Sequence, residues 1–450
     1  MQIYFSFTVL VPVILLALPI FWLVLRRDAW RLWFIVVLSV SLLALLHPAF
    51  AVVSVGLVVL THQLVEQMHA KKLSVRRTVL MAVLGAVVVL ALGKYGQVMT
   101  GRLWGSNNWV YTRIAMPLGV SYFAFRLLQY VFDQARGVLT ENSLLRLGAF
   151  VLFLPTFPAG PIETYQGFYG KRSTSFDADL FYSGLRRIII GYFKKVFVEG
   201  IVFTVYLAPQ AIKPLAHGWH FSTAQPLQAS IFVIYAFMRA YLDLSAYSDL
   251  AIGFSRLFGF RIMENFANPL LKRNLSDFWR SWHISLSTWC RNNVYFPVFG
   301  ATRKVWLGLI CSMTVMGLWH YVDLNWFTWA MWHAGGLITV SWWLGRKKAF
   351  RKAHRGEPFW SRYSMRHALL SPLWYVMTFC FVALGYSFVA TPNIVVAARV
   401  LSGAIAGPFV WLAQQGAMGV AGLLVVIALV VGAAWLVALW RRRPQPTQAA

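Results

Sequence analysis

Residues 274–297 read NLSDFWRSWHISLSTWCRNNVYFP, residues 316–323 read MGLWHYVD, and residues 326–336 read WFTWAMWHAGG. These stretches set His283 and His320 37 positions apart, with an apolar run, VWLGLICSMTVMGLWH, closing on the second histidine. An ionisable side chain at membrane depth is costly, so it faces a cavity or a partner and marks function. Each histidine follows a tryptophan, Trp282 and Trp319 respectively. The pair points to acid–base chemistry within a bilayer.

Working outward, composition settles the class. Of 450 residues, 59% are hydrophobic, 16% aromatic and 12% charged, whereas soluble domains carry roughly a quarter charged residues. The chain reads as an integral membrane protein. Its net charge of +27 raises nucleic-acid binding as an alternative. The basic residues, however, sit in short clusters between apolar runs, where they orient helices, and nucleic acid is set aside. The cysteines, Cys290, Cys311 and Cys380, have no CxxC spacing and lie in or beside apolar segments, as small buried hydrophobes do.

Apolar runs and basic hinges alternate along the chain. The N-terminal run lacks a basic leader region and a small-residue cleavage site, so it is expected to be a retained span, Phe5 to Leu25. Leu32 to Glu66 is too long for one span and breaks near His47-Pro48, which predicts a hairpin with the basic flanks 26–31 and 71–77 on one side. The positive-inside rule makes that side cytoplasmic and the N-terminus external. A further span is expected over Val79 to Leu92, and Ile114 to Phe132 carries Arg126.

In GAFVLFLPTFPAGPIETYQGF, residues 148–168, Pro155, Pro158 and Pro161 recur every three positions and break any helix. Irregular backbone at membrane depth is tolerated where protein or a cavity satisfies its polar groups. Next, Arg186-Arg187 and Lys194-Lys195 lie eight residues apart on one helical face. They suit an interfacial helix at the cytoplasmic surface, or a docking site for an acidic carrier or cofactor phosphate. Asp243 and Asp249, in YLDLSAYSDLAIG, need partners, and Ser245, Ala246 and Ser248 permit close helix approach. Residues 346–366 read as a basic cytoplasmic loop, and spans near 368–390 and 418–440 place the C-terminus in the cytoplasm. The expected fold is all-α and polytopic, a single integral membrane domain over 1–450 with roughly eleven transmembrane or re-entrant helices.

His320, at the inner end of its apolar run, is the first candidate for a general base, since a histidine in a dry setting stays neutral. His283 lies among Trp279, Trp282, Trp289, Arg280 and Arg291, and His333 is a third candidate in WHAGG. Against each stands the commoner reading of such a histidine, a hydrogen-bonded structural group. No HExxH motif and no GxSxG elbow occurs, and no carboxylate accompanies the histidines at ligand spacing, so no metal site is expected.

At this point the sequence resembles a known family. The run YLDLSAYSDLAIGFSRLFGFRIMENFANP, then DFWRSWHISLSTWCRNNVYFP and GLWH, with MPLGVSYFAFRLLQYVFDQARGVL and FLPTFPAGPIETYQGF upstream, resembles the membrane-bound O-acyltransferase (MBOAT) family. The likeness spans about residues 115–336 and is strongest to the bacterial branch of alginate O-acetylases and D-alanyl transfer proteins. It implies a funnel of helices in the bacterial inner membrane. It makes His320 the catalytic histidine and His283 the second motif histidine, with Asn265, Trp282, Trp319, Arg291 and Asp249 as supporting or substrate-binding residues. The implied reaction moves an acyl group, most simply acetyl, from a cytoplasmic thioester (acyl-CoA or a carrier protein) toward an extracytoplasmic polysaccharide. D-alanyl transfer to a teichoic-acid-like polymer is the alternative; a transporter without chemistry is the rival class, but no repeated halves are visible. No bound cofactor is implied. An SGNH-hydrolase-like extracytoplasmic partner is. Two departures bear on acceptor or partner choice: Tyr321 stands where the family usually has Gly, and Arg291-Asn292 where relatives often have Arg-Asp.

Overall fold

The structure, a computed structural model, describes residues 2–104, 119–158, 160–212, 225–353 and 371–416. Among the described residues all regular structure is helical. Within these described residues six helices are long and apolar enough to cross a membrane, and three shorter apolar helices accompany them. The chain is a multi-pass membrane protein. The expected span at 418–440 lies outside the described residues, as does most of the run from Ile114 to Gly119.

The chain forms two compact units, residues 1–197 with 243–265, and residues 198–242 with 266–450. The first unit begins with α1 (Gln2–Pro19), α2 (Asp28–Leu46), α3 (Pro48–His69) and α4 (Val75–Trp104). The break expected near His47-Pro48 falls between α2 and α3. Pro48 stands at the first position of α3, where its missing N–H costs nothing. It continues with α5 (Val120–Ala135), α6 (Leu144–Val151), α7 (Tyr165–Gly170) and α8 (Ala178–Tyr192), which runs on as a π-helix, Phe193–Leu207, into the second unit. Asp177 caps α8: its carboxylate accepts from Leu180 N at 2.9 Å, and this bond, followed by Arg261, holds its pKa below the ordinary value.

The proline-rich stretch is irregular, as expected: α6 stops at Val151 and a single 3-10 turn covers Leu154–Thr156. Its carbonyls are served by Arg126, a fully buried side chain of α5. The guanidinium donates to Thr156 O at 2.6 Å, Val151 O at 3.4 Å and Pro161 O at 3.5 Å. Glu163 closes the stretch from the other end, accepting from Met263 N at 2.7 Å and Thr164 N at 3.0 Å. Backbone that no ladder can satisfy is thus satisfied by two buried side chains.

Helix α9 (Ala208–Ile212) precedes α10 (Gln228–Leu257), whose residues from Asp243 onward belong to the first unit. There Gly184 of α8 and Gly253 of α10 let the two backbones meet, since a Cβ on either would lie within 3 Å of the other's carbonyl oxygen. The two aspartates of α10 find their partners across this contact. Lys195 reaches Asp243 at 2.5 Å, and buried Asp249 is held by Lys194 at 2.7 Å and Arg187 at 2.8 Å. Arg187 also meets Glu264 at 2.5 Å. Three of the four basic residues read as a docking face are therefore engaged inside their own unit.

In the second unit, α11 (Leu275–Trp279), α12 (Ile284–Cys290), α13 (Phe296–Thr302), α14 (Val305–Leu318), α15 (Leu324–Ala353), α16 (Ser371–Val389) and α17 (Ile394–Gly416) follow in order. One expectation is corrected here. Residues 346–353 are not loop but the last turns of α15: Lys, Arg and Ala are good helix formers, and cations suit a helix C-terminus. A second correction concerns Cys380, which is exposed on α16, while Cys290 is buried.

Candidate active site

The site is built in the second unit from α11, α12, α14 and α15. Asn274 caps α11, its Oδ1 accepting from Asp277 N at 2.9 Å. Four residues beyond α11 the chain reaches His283, which caps the start of α12 in a left-handed conformation, φ 43° and ψ 54°. Few non-glycine residues adopt it, histidine among the more tolerant, and such strain gathers at functional positions. His283 is buried, and its carbonyl accepts the first helical bond of α12, from Ser287 N at 2.9 Å.

Helices α14 and α15 are joined by residues 319–323 and run back along one another. At their junction Gly317 permits a very close crossing: a Cβ there would lie 2.6 Å from Trp326 O and 2.9 Å from Ala330 Cβ. The approach lays the half-buried His320 ring flat on Trp326, centroids 4.2 Å apart and planes within 17°. Trp319 contacts both motif histidines, its ring 4.2 Å from that of His320 and 6.3 Å from that of His283. Two residues found 37 apart in sequence are brought against one indole.

A cavity of about 760 Å³ is walled by α11, α12, α14 and α15. Along α14 it follows Val305, Leu309, Met313 and Met316, a stripe of one helical face whose next step is His320. Along α15 it follows Ser341 and Leu337, whose next step is His333. Helix α14 is about 21 Å long at 1.5 Å per residue, so the cavity runs most of a helix length toward the histidines. At its outer end Val305 directly follows Arg303 and Lys304, and Ser341 precedes Arg346, Lys347 and Lys348 along α15. Hydroxyls of Ser276, Ser287, Thr288 and Ser312 and the exposed Arg280 and Arg291 add polarity. Arg291 and Tyr295 reach it from a π-helical segment, Arg291–Tyr295, of the kind that often marks functional sites.

Of the residues expected at the site, His283, His320, Trp319 and Arg291 meet in this region. Trp282 has a different setting: it is buried in an aromatic cluster, stacked on Phe278 at 5.4 Å and packed on Phe237 at 5.5 Å and Phe266 at 5.3 Å. Asn265 and Asp249 belong to the first unit, Asn265 donating to Ser248 Oγ at 3.1 Å. Met313, Met316 and Leu337 were not singled out by sequence, because apolar residues at helical spacing look the same whether they face a cavity, a core or lipid.

The profile of MBOAT, the membrane-bound O-acyltransferase family, matches residues 62–360. The chain belongs to the membrane-bound O-acyltransferase family. Among curated members, it is 30% identical over 331 residues to the probable alginate O-acetylase AlgI of Pseudomonas aeruginosa, covering 70% of this chain and 58% of that protein. It is 30% identical over 233 residues to the teichoic acid D-alanyltransferase of Bacillus subtilis, covering 48% of this chain and 57% of that one. With the peptidoglycan O-acetyltransferase of Helicobacter pylori it shares 26% identity over 321 residues, 65% of this chain and 57% of the relative. The chain thus spans somewhat over half the length of these family members.

Proposed function

We propose that this chain is an O-acyltransferase of the bacterial inner membrane, with its N-terminus external and its C-terminus cytoplasmic. It moves an acyl group, most simply acetyl, from a cytoplasmic thioester toward hydroxyls of an extracytoplasmic polysaccharide. The observation that carries the reading is the cavity, which starts at a basic helix end and follows Met313 and Met316 to within one turn of His320. Clustered Lys and Arg mark a cytoplasmic boundary, so a thioester on coenzyme A or a carrier protein enters there. Exposed Arg280 and Arg291 suit a donor phosphate.

In this mechanism His320 takes the acceptor hydroxyl's proton as the oxygen attacks the thioester carbonyl. The tetrahedral intermediate then collapses, the C–S bond breaks, and the proton returns to the leaving thiolate. General-base assistance of this kind contributes roughly 10²–10⁴-fold. Trp326 and Trp319 fix the His320 ring. His283, which also packs against Trp319, polarises the carbonyl or orients the acceptor. Trp282, Asn265 and Asp249 act as scaffold. An SGNH-hydrolase-like partner outside the membrane receives the acyl group or completes its transfer.

The comparable identity to a teichoic acid D-alanyltransferase supports D-alanyl transfer from a carrier protein as a second reading. The test is transfer of label from radiolabelled acetyl thioester to membrane and extracellular polymer fractions, wild type against His320→Ala at equal expression. Loss of label in the variant supports acetyl transfer with His320 as base. Label absent from both, but recovered with a D-alanyl carrier, favours the second reading. Label persisting in the variant removes His320 from the chemistry.

A further inference from the structure

One turn beyond the inner end of the cavity on α15, the stripe Ser341, Leu337 arrives at His333, which is 1% exposed. Its ring contacts Trp329 at 4.7 Å and Trp279 at 5.2 Å, and these two indoles lie 5.8 Å from each other. Trp279 itself lines the cavity. Both ring nitrogens of His333 and the Nε1 of each tryptophan are buried without a hydrogen-bond partner. Beside the imidazole, α16 carries Gly385, where a Cβ would stand 3.0 Å from His333 Nε2. A buried polar group left unmet is costly, and four of them lie in this one cluster.

The chemistry of these groups defines what meets them. Each indole only donates; a neutral imidazole donates at one nitrogen and accepts at the other. A bare anion would leave the accepting nitrogen unmet, and a cation finds two N–H groups pointing the wrong way. A thioester carbonyl alone offers nothing to the accepting nitrogen. A secondary amide meets three of the four groups: its oxygen accepts from both indoles and its N–H donates to the imidazole's accepting nitrogen. Thioester arms that carry an amide close to sulfur occur on coenzyme A and on carrier proteins alike.

We propose that His333, Trp279 and Trp329 form an amide clamp at the inner end of the cavity, which seats the donor's thioester arm for attack at His320. The inference rests on the acyltransferase reading. His333 is in this scheme a positioning residue, contributing to donor affinity rather than to proton transfer.

Two soluble probes test it with the full chain in membranes that contain the native acceptor. S-acetyl-N-acetylcysteamine carries the amide; S-acetyl-2-mercaptoethanol lacks it. Wild type is expected to favour the first by about tenfold in kcat/KM, the worth of roughly one well-made hydrogen-bond pair. In His333→Phe the preference collapses to within about twofold, with the loss falling on KM for the amide probe. Trp329→Phe, which keeps the ring and removes the N–H, reduces it in the same direction and guards against a folding defect in the first variant. No preference in wild type, or an equal preference in both variants, overturns the clamp and leaves ordered water as the occupant. Absence of any His320-dependent transfer from either probe brings down the acyltransferase reading itself, and the clamp with it.

Discussion

Two buried polar clusters, one in each unit, are met in different ways. In the first, Arg126 is committed to three backbone carbonyls and Asp249 to two cations. In the second, the imidazole of His333 and the indoles of Trp279 and Trp329 sit among rings with no polar partner. A buried charge engaged in this way holds irregular backbone in place. Buried nitrogens left open are costly, and in the His333 cluster they adjoin the cavity through Trp279. The contrast sets a scaffold cluster against a site cluster.

That contrast is breakable. Arg126→Met strips the donors from Val151, Thr156 and Pro161 at once. At about 1–3 kcal/mol per unmet group, it is expected to lower the detergent melting temperature sharply; a melt like wild type's would mean that the first unit's polarity is not structural. Gly317→Val places a branched Cβ against Trp326 O, an overpacking worth about 1–3 kcal/mol. Because Trp326 carries His320, the transfer rate per folded molecule should fall by more than the melting shift accounts for. Equal losses in both would place Gly317 with the scaffold.

The smallest effect is expected at Asp177. Its carboxyl has a lowered pKa in the folded chain, so its stabilisation is complete above the unfolded value near 3.9 and is lost as pH falls through the folded one. The melting difference between wild type and Asp177→Asn should therefore narrow from about pH 6 to about pH 3. A difference constant across that range would assign the cap to geometry alone.

Much of the scaffold is legible in the sequence, because it is written in local terms. His47-Pro48 ends one helix and begins the next, Pro155, Pro158 and Pro161 break the helix, and costly Asp243 and Asp249 demand cations that duly come from α8 and the π-helix that continues it. What the sequence hides is long-range or degenerate. Nothing near Arg126 announces carbonyls 25 to 35 residues later. Trp282 and Trp319 each precede a histidine, yet one joins a buried aromatic cluster and the other contacts both histidines. The dipeptides are identical; only packing divides them. The basic stretch after Arg346 reads as loop because charge is a membrane-boundary signal, whereas helix propensity carries α15 on to Ala353.

The Arg126 bonds have a consequence for biogenesis. Synthesis runs from the N-terminus, so α5 leaves the ribosome before any of the carbonyls that its guanidinium will serve. Until those carbonyls follow, a guanidinium that ends fully buried has no backbone partner to offset its desolvation. Docking of α5 into its unit is therefore tied to completion of the chain as far as residue 161, the last carbonyl its side chain serves.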